Sequence, residues 1–199
     1  MSAPRLIGFP PAPTNGGRFE DAPAKIGEWV WQPKVNEWRG IVHVPSSTVW
    51  SQYGDLSTVG QQGKIVEALA ELKPFSQVLE WLDIGIFENR HDLMKGSLVI
   101  FDWITPKLPH WDRRVFLAQW FTSLPCSVDT IREAKAGVYL VNEWYQMAAN
   151  VWEGLQKINA VLDKPFYEGL VAKRRDAIYP IQHRAKGKTH LWVKHRFDQ

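Results

Sequence analysis

Between Glu28 and Val44 the apolar residues alternate with polar ones or cluster (Trp29, Trp31, then Ile41, Val42, Val44), which predicts two strands joined around Asn36–Trp38. Trp50-Ser51-Gln52-Tyr53-Gly54 reads as a strand end entering a turn. From Gly60 to Lys73, Ile65, Leu69 and Leu72 fall at helical spacing and predict an amphipathic helix that ends before Pro74. Val78–Phe87 and Ser97–Ile104 are apolar, β-rich runs around the polar turn Glu88–Gly96, and predict an antiparallel pair. His110–Ser123 and Val138–Leu162 are expected to be helices, separated by a break at Leu124-Pro125. Leu170–Val171 and Leu191–Val193 return to strand character, with turn signals at Pro180 and Gly187 between them. Strands at both ends with helices between them predict an α+β domain, antiparallel sheets flanked by helices. Residues 1–25, rich in Pro and Gly, are expected to form an irregular arm, leaving 26–199 as the domain.

Composition narrows the function classes. A chain of 199 residues with 45% hydrophobic composition can bury a core of its own without a disulfide or metal staple. The single cysteine, Cys126, excludes an intramolecular disulfide, so a reducing, cytoplasmic setting is expected. No apolar run approaches the ~20 residues needed to span a bilayer, and no signal-like core precedes Lys25. The formal charge is +3, yet residues 166–199 carry eight Lys/Arg against three Asp/Glu, a local +5 that leaves −2 for the rest. That basic segment suits a polyanion such as nucleic acid or a triphosphate. Most of the eleven tryptophans are expected to pack in the core, and exposed ones can stack on bases. Nothing in the pattern fixes an oligomeric state.

Gly63-Lys64 has the ending of a phosphate-binding P-loop, but Thr58 stands at the first glycine position and Ile65 follows the lysine. The close backbone approach and the magnesium-binding hydroxyl are both missing, so this is a helix start. One cysteine cannot supply zinc spacing.

A more specific pattern is distributed along the chain in order: Lys34-Val35-Asn36-Glu37-Trp38-Arg39, then Gln52-Tyr53-Gly54, Leu82-Asp83-Ile84-Gly85, Phe101-Asp102, Glu168-Gly169-Leu170-Val171-Ala172-Lys173, and Trp192-Val193-Lys194-His195-Arg196. This ordered set, from Trp29 to Phe197, resembles the covalent nucleotidyltransferase family of ATP-dependent DNA and RNA ligases and mRNA capping enzymes. The Glu168–Lys173 segment is an almost complete match to the family's fourth motif. The first motif departs from the family's Lys-x-Asp-Gly-x-Arg at Asn36 and Glu37. Gln52 stands where the family has arginine, and Gly85 where it has a ribose-binding glutamate.

The resemblance implies a minimal ATP-dependent polynucleotide ligase, an adenylation domain without the OB-fold that often follows, joining 5′-phosphate to 3′-hydroxyl ends as in DNA repair. Its cofactors would be ATP and Mg2+, and its partner nucleic acid. Lys34 would be the nucleophile. An amine attacks phosphorus only when deprotonated, so Lys34 needs a desolvated, electropositive pocket, which Lys173, Lys194 and Arg39 could supply. By the same resemblance Lys194 would touch the α-phosphate, Arg39 the ribose and Phe101 the base, while Gln32 could read the base edge. Arg196 takes the last place of the Lys-x-Lys motif, and Glu168 with Asp83 could hold magnesium. Glutamate at position 37 is unfavourable beside a triphosphate unless its side chain turns outward, and Glu88 is a nearby carboxylate that could compensate for Gly85. Two alternatives remain open from sequence: a catalytically silent nucleotide- or nucleic-acid-binding relative, and a capping-type guanylyltransferase.

Overall fold

The structure is a computed structural model that describes residues 15–18, 28–51, 54, 55, 57, 63–87, 94–105, 107–121, 131–144, 149–180 and 188–197. In chain order its elements are strands β1 (Asn15–Arg18), β2 (Trp29–Val35), β3 (Trp38–His43) and β4 (Thr48–Ser51), helix α1 (Gly63–Leu72), strands β5 (Trp81–Phe87) and β6 (Ser97–Trp103), helix α2 (His110–Phe121), strands β7 (Ile131–Lys135) and β8 (Val138–Val141), helix α3 (Ala149–Ala160), and strands β9 (Tyr167–Arg174) and β10 (Lys188–Arg196). They build two sheets, one ordered β1-β10-β9-β2 and the other β4-β3-β5-β6-β8-β7. Pairing is antiparallel throughout except for β1 with β10 and β6 with β8, which run parallel. The α+β class expected from the sequence is the one found.

The strand period of two explains how the sheets face each other. On β5, Leu82, Ile84 and Ile86 point to one side, where Ile65, Leu69 and Leu72 of α1 and Leu117 and Phe121 of α2 cover them. Each such buried aliphatic side chain contributes about 1.5–3 kcal/mol relative to exposure. Asp83, Gly85 and Phe87 point the other way, toward the β2–β9–β10 sheet. Phe87 packs there with Val99, Tyr167 and Leu170, and with Leu155 of α3. A polar cleft between the two sheets is the consequence.

Two expectations need correction. The long helix predicted over Val138–Leu162 is instead strand β8 followed, after an interval, by the shorter helix α3. Val138, Leu140 and Val141 suit either period, and strand pairing, parallel with Leu98–Ile100 on β6 and antiparallel with β7, goes with the burial of all three. Gly137, at φ +72°, makes the turn from β7 that helix geometry forbids. Within the arm expected to be irregular, Asn15–Arg18 forms a strand on the edge of β10. Backbone groups at a sheet edge accept any extended segment, whatever its side chains. The rest of that arm, Gln52, Tyr53, Glu88 and Cys126 lie outside the described residues. Among the described residues no helix is long and apolar enough to cross a membrane.

Candidate active site

The cleft holds a cavity of about 500 Å³ lined by Gln32, Lys34, Arg39, Asp83, Phe101, Glu168, Lys173, Lys194 and Arg196. These nine are all the candidate residues of the sequence, drawn from positions up to 164 apart. Glu37, Trp38 and Trp192 line it as well. Local geometry explains the convergence. Alternation along β10 sends Trp192, Lys194 and Arg196 to the same face, and β9 lies between β2 and β10 in the sheet. Lys34 sits opposite Gly169 in the ladder, one residue from Glu168. Gly169 is at φ +138°, and a Cβ there would lie 2.0 Å from the His195 carbonyl oxygen, so only glycine permits this close approach of β9 to β10.

Lys34 donates through Nζ to Glu168 Oε2, and the Arg196 guanidinium lies 3.7 Å from the same oxygen. Lys194 completes a cationic wall. Burial, then Arg39, Lys34 and Arg196, push its ammonium down to about 8, with Glu168 opposing. The lysine shown to be shifted toward neutrality is therefore Lys194.

Arg39 is not free to reach outward. Its Nε and a terminal nitrogen donate to both Asp83 oxygens at 2.9 and 2.6 Å, and the Tyr179 hydroxyl donates to Asp83 Oδ2 at 2.8 Å. Burial works against the Arg39 charge, but Asp83 outweighs it and holds the guanidinium above its usual range. Beneath the cations lies the indole of Trp192, 4.7 Å from Lys173 Nζ and 5.7 Å from the Arg39 guanidinium carbon, a cation–π floor.

Lys173 is nearly fully buried, and its Nζ donates to the Phe101 carbonyl at 3.1 Å and to Asp102 Oδ2 at 3.2 Å. Asp102 is the hub of a buried network that the sequence reading missed. It accepts two hydrogen bonds from Arg113, at 2.8 and 3.0 Å, and one from His110 at 3.2 Å. Burial pushes its carboxyl up, but Arg113, Lys173 and His110 together hold it well below the usual range. His110 donates its other ring nitrogen to Glu143 at 2.8 Å; with a carboxylate on each side its pKa is raised despite burial. Burial likewise opposes ionisation of Glu143, but His110 and Arg114 bring it down to about 2. The Gln32 amide donates to Glu143 at 2.5 Å and to the Phe101 carbonyl at 3.1 Å. The network thus fixes Lys173 and Gln32 from behind. Its sequence signal was faint: acidic and basic residues inside the apolar run Ser97–Trp103 and the helix that follows.

Glu37 takes the less favourable of the two orientations left open from sequence. Instead of turning outward it lines the cavity, half-buried, and burial raises its carboxyl to about 7 against the pull of Lys34. Among the described residues no group of three or more His, Cys, Asp or Glu could hold a metal unaided. Of the two carboxylates considered for magnesium, Asp83 is 1% exposed and spent on Arg39 and Tyr179, which does not fit the role. Glu168, about a quarter exposed and beside the cations, fits an ion that takes its other ligands from phosphate oxygens and water.

No family model and no curated protein matches the sequence. Solved structures do. The ligase domain of Mycobacterium tuberculosis LigD is similar with a TM-score of 0.64 at 17% identity, over 94% of this chain and 59% of that one. A mycobacterial DNA ligase D complexed with ATP and MES gives 0.63 at 18% identity, over 94% and 60%. The Chlorella virus DNA ligase-adenylate gives 0.54 at 16% identity, over 92% and 68%. The chain therefore spans about three fifths of the length of the first two. With two facing sheets, flanking helices and a cleft between them, this chain has the fold of the nucleotidyltransferase domain of ATP-dependent DNA ligases.

Proposed function

We propose that the chain is an ATP-dependent polynucleotide ligase that works through a lysyl-AMP intermediate. The observation carrying this reading is the meeting of Lys34 with Glu168, Lys194 and Arg196 in one cavity with an aromatic side chain, Phe101, on its wall. The cations suit a triphosphate and Phe101 a base. Fold neighbours named as DNA ligases, one of them holding ATP, support the same substrate classes.

In the first step Lys34 leaves its ion pair with Glu168 and gives one ammonium proton to solvent; the Nζ–Pα bond then forms as the bond from Pα to the bridging oxygen of pyrophosphate breaks, and the second proton departs with pyrophosphate. Lys194 and Arg196 offset charge on the α-phosphate and the leaving group. Glu168 and the phosphate oxygens would hold magnesium, which supplies further charge neutralisation. In the second step a 5′-phosphate oxygen attacks Pα and the N–P bond breaks. In the third a 3′-hydroxyl oxygen attacks the 5′ phosphorus and AMP departs, closing the phosphodiester. The basic sequence segment 166–199 would contribute charge for the nucleic acid.

The test is labelled ATP with magnesium, followed by a nicked duplex. The expected result is a covalent AMP adduct that Lys34→Ala abolishes and that the nick discharges. ATP binding without any adduct on the parent chain would make it a silent nucleotide-binding relative, a reading that the Lys34–Glu168 ion pair favours because a paired ammonium is not a nucleophile. An adduct with GTP alone would make it a guanylyltransferase.

A further inference from the structure

Positions 37 and 85, which depart furthest from the pattern expected of the family, compete for one space. A Cβ built on Gly85 would stand 2.3 Å from Glu37 Cγ and 2.8 Å from both Phe101 Cζ and Val99 Cγ1. No real side chain tolerates such distances, so the room a side chain at position 85 would use is already taken by the arm of Glu37. The ladder explains why. Gly85 lies directly opposite Arg39 in the ladder, and Glu37 sits in the bend just before β3, two residues ahead of Arg39. From that bend Glu37 reaches over the bare glycine, and its arm and the Phe101 ring flank the same space.

The surroundings of that carboxylate define what it can meet. Phe101 offers an apolar face, whereas Lys34, Lys194 and Arg196 offer charge for phosphates. A carboxylate repels phosphate and accepts hydrogen bonds. Lining the same cavity with its arm beside the ring, Glu37 is suited to the part of a nucleotide that joins base to phosphate, where the available donors are sugar hydroxyls. We infer that Glu37 is the sugar-hydroxyl acceptor of this site, and that Glu37 and Gly85 form an exchangeable carboxylate–glycine pair between the bend before β3 and strand β5. This rests on the nucleotide-binding reading above.

Affinity for ATP and for 2′,3′-dideoxy-ATP, measured by calorimetry on the intact chain, tests the inference. The parent is expected to favour ATP by about tenfold, the size of one hydrogen bond to a charged group. Glu37→Ala should lose about tenfold in ATP affinity and bring the two ligands level. Gly85→Ala introduces no polar group, yet it should weaken ATP binding severalfold in the parent by displacing Glu37, and have little effect in a Glu37→Gly background. The exchange Glu37→Gly with Gly85→Glu should restore ATP preference to within about threefold of the parent. If the parent binds no ATP, the functional reading fails and takes this inference with it. If the parent binds ATP but Glu37→Ala leaves affinity and sugar preference unchanged, the inference alone is overturned. A folded exchange variant no better than Glu37→Gly overturns it too, and should that variant not fold, the Glu37→Ala result decides.

Discussion

The two walls of the cleft were assembled by different rules. On the β9–β10 wall, consecutive sequence segments supply the chemistry, and strand alternation alone puts Glu168, Lys194 and Arg196 beside Lys34. On the β3–β5–β6 wall, buried carboxylates hold functional side chains distant in sequence: Asp83 holds Arg39 of the same sheet, while Asp102 and Glu143 hold Lys173 and Gln32, which reach across from β9 and β2. The first wall is a matter of local spacing, the second of buried polar pairing. Buried pairs tolerate loss of one partner far less well than exposed ones, so the walls should respond differently to substitution.

The largest effect is expected at the hub of the second wall. Asp102→Ala strands Arg113, which is fully buried, and Lys173 beside it. Removing one partner of such a group costs about 3–5 kcal/mol, readable as a lowered urea midpoint at unchanged m. Equal stability would show that water reaches the network freely. On the first wall the comparable sensitivity is steric. Gly169→Ala forces a Cβ against the His195 carbonyl at positive φ and should cost about 3 kcal/mol or more. Lys194→Ala, by contrast, should not destabilise the fold near neutral pH while slowing adduct formation about 10²–10³-fold, which would separate chemistry from stability on that wall.

The walls should also differ in pH response. Glu37 has its carboxyl raised from 4.5 to about 7, so its contribution to stability is complete below pH 4.5 and lost as pH rises through 7. Lys194 is lowered from 10.5 to about 8, so the folded state binds fewer protons than the unfolded between these values and stability rises with pH across that interval. Glu37→Gln should remove the first slope and Lys194→Met the second, in thermal unfolding scanned from pH 4 to 10. A slope that survives its substitution belongs to another group. The smallest effect is expected away from the cleft, where Asp176→Ala breaks an exposed pair with Arg174 and should change stability by about 0.5 kcal/mol or less.

Much of the fold was legible because its strands and helices obey single periods. The successive strands β2 and β3, the helix before Pro74, the β5–β6 pair and the late strands all follow from residues spaced by two or by three and four. The run from Val138 failed because Val138, Leu140 and Val141 fit both periods, and only pairing with β6 chose between them. In the site, Lys34, Glu168 and Lys194 were legible because their neighbours in sequence are also their neighbours along a strand. The orientation of Glu37 was not legible, since turning inward depends on the emptiness of Gly85 on another strand.

By itself, then, the sequence determined the local elements and the cationic half of the cleft, because period and spacing act over a few residues. Tertiary structure alone decided which carboxylates serve which cations: Asp83 to Arg39, Asp102 to Lys173 and Arg113, and Glu37 over Gly85. The physical reason is that a buried charge must find its partner through space, and strand order, which no local pattern encodes, sets who is near.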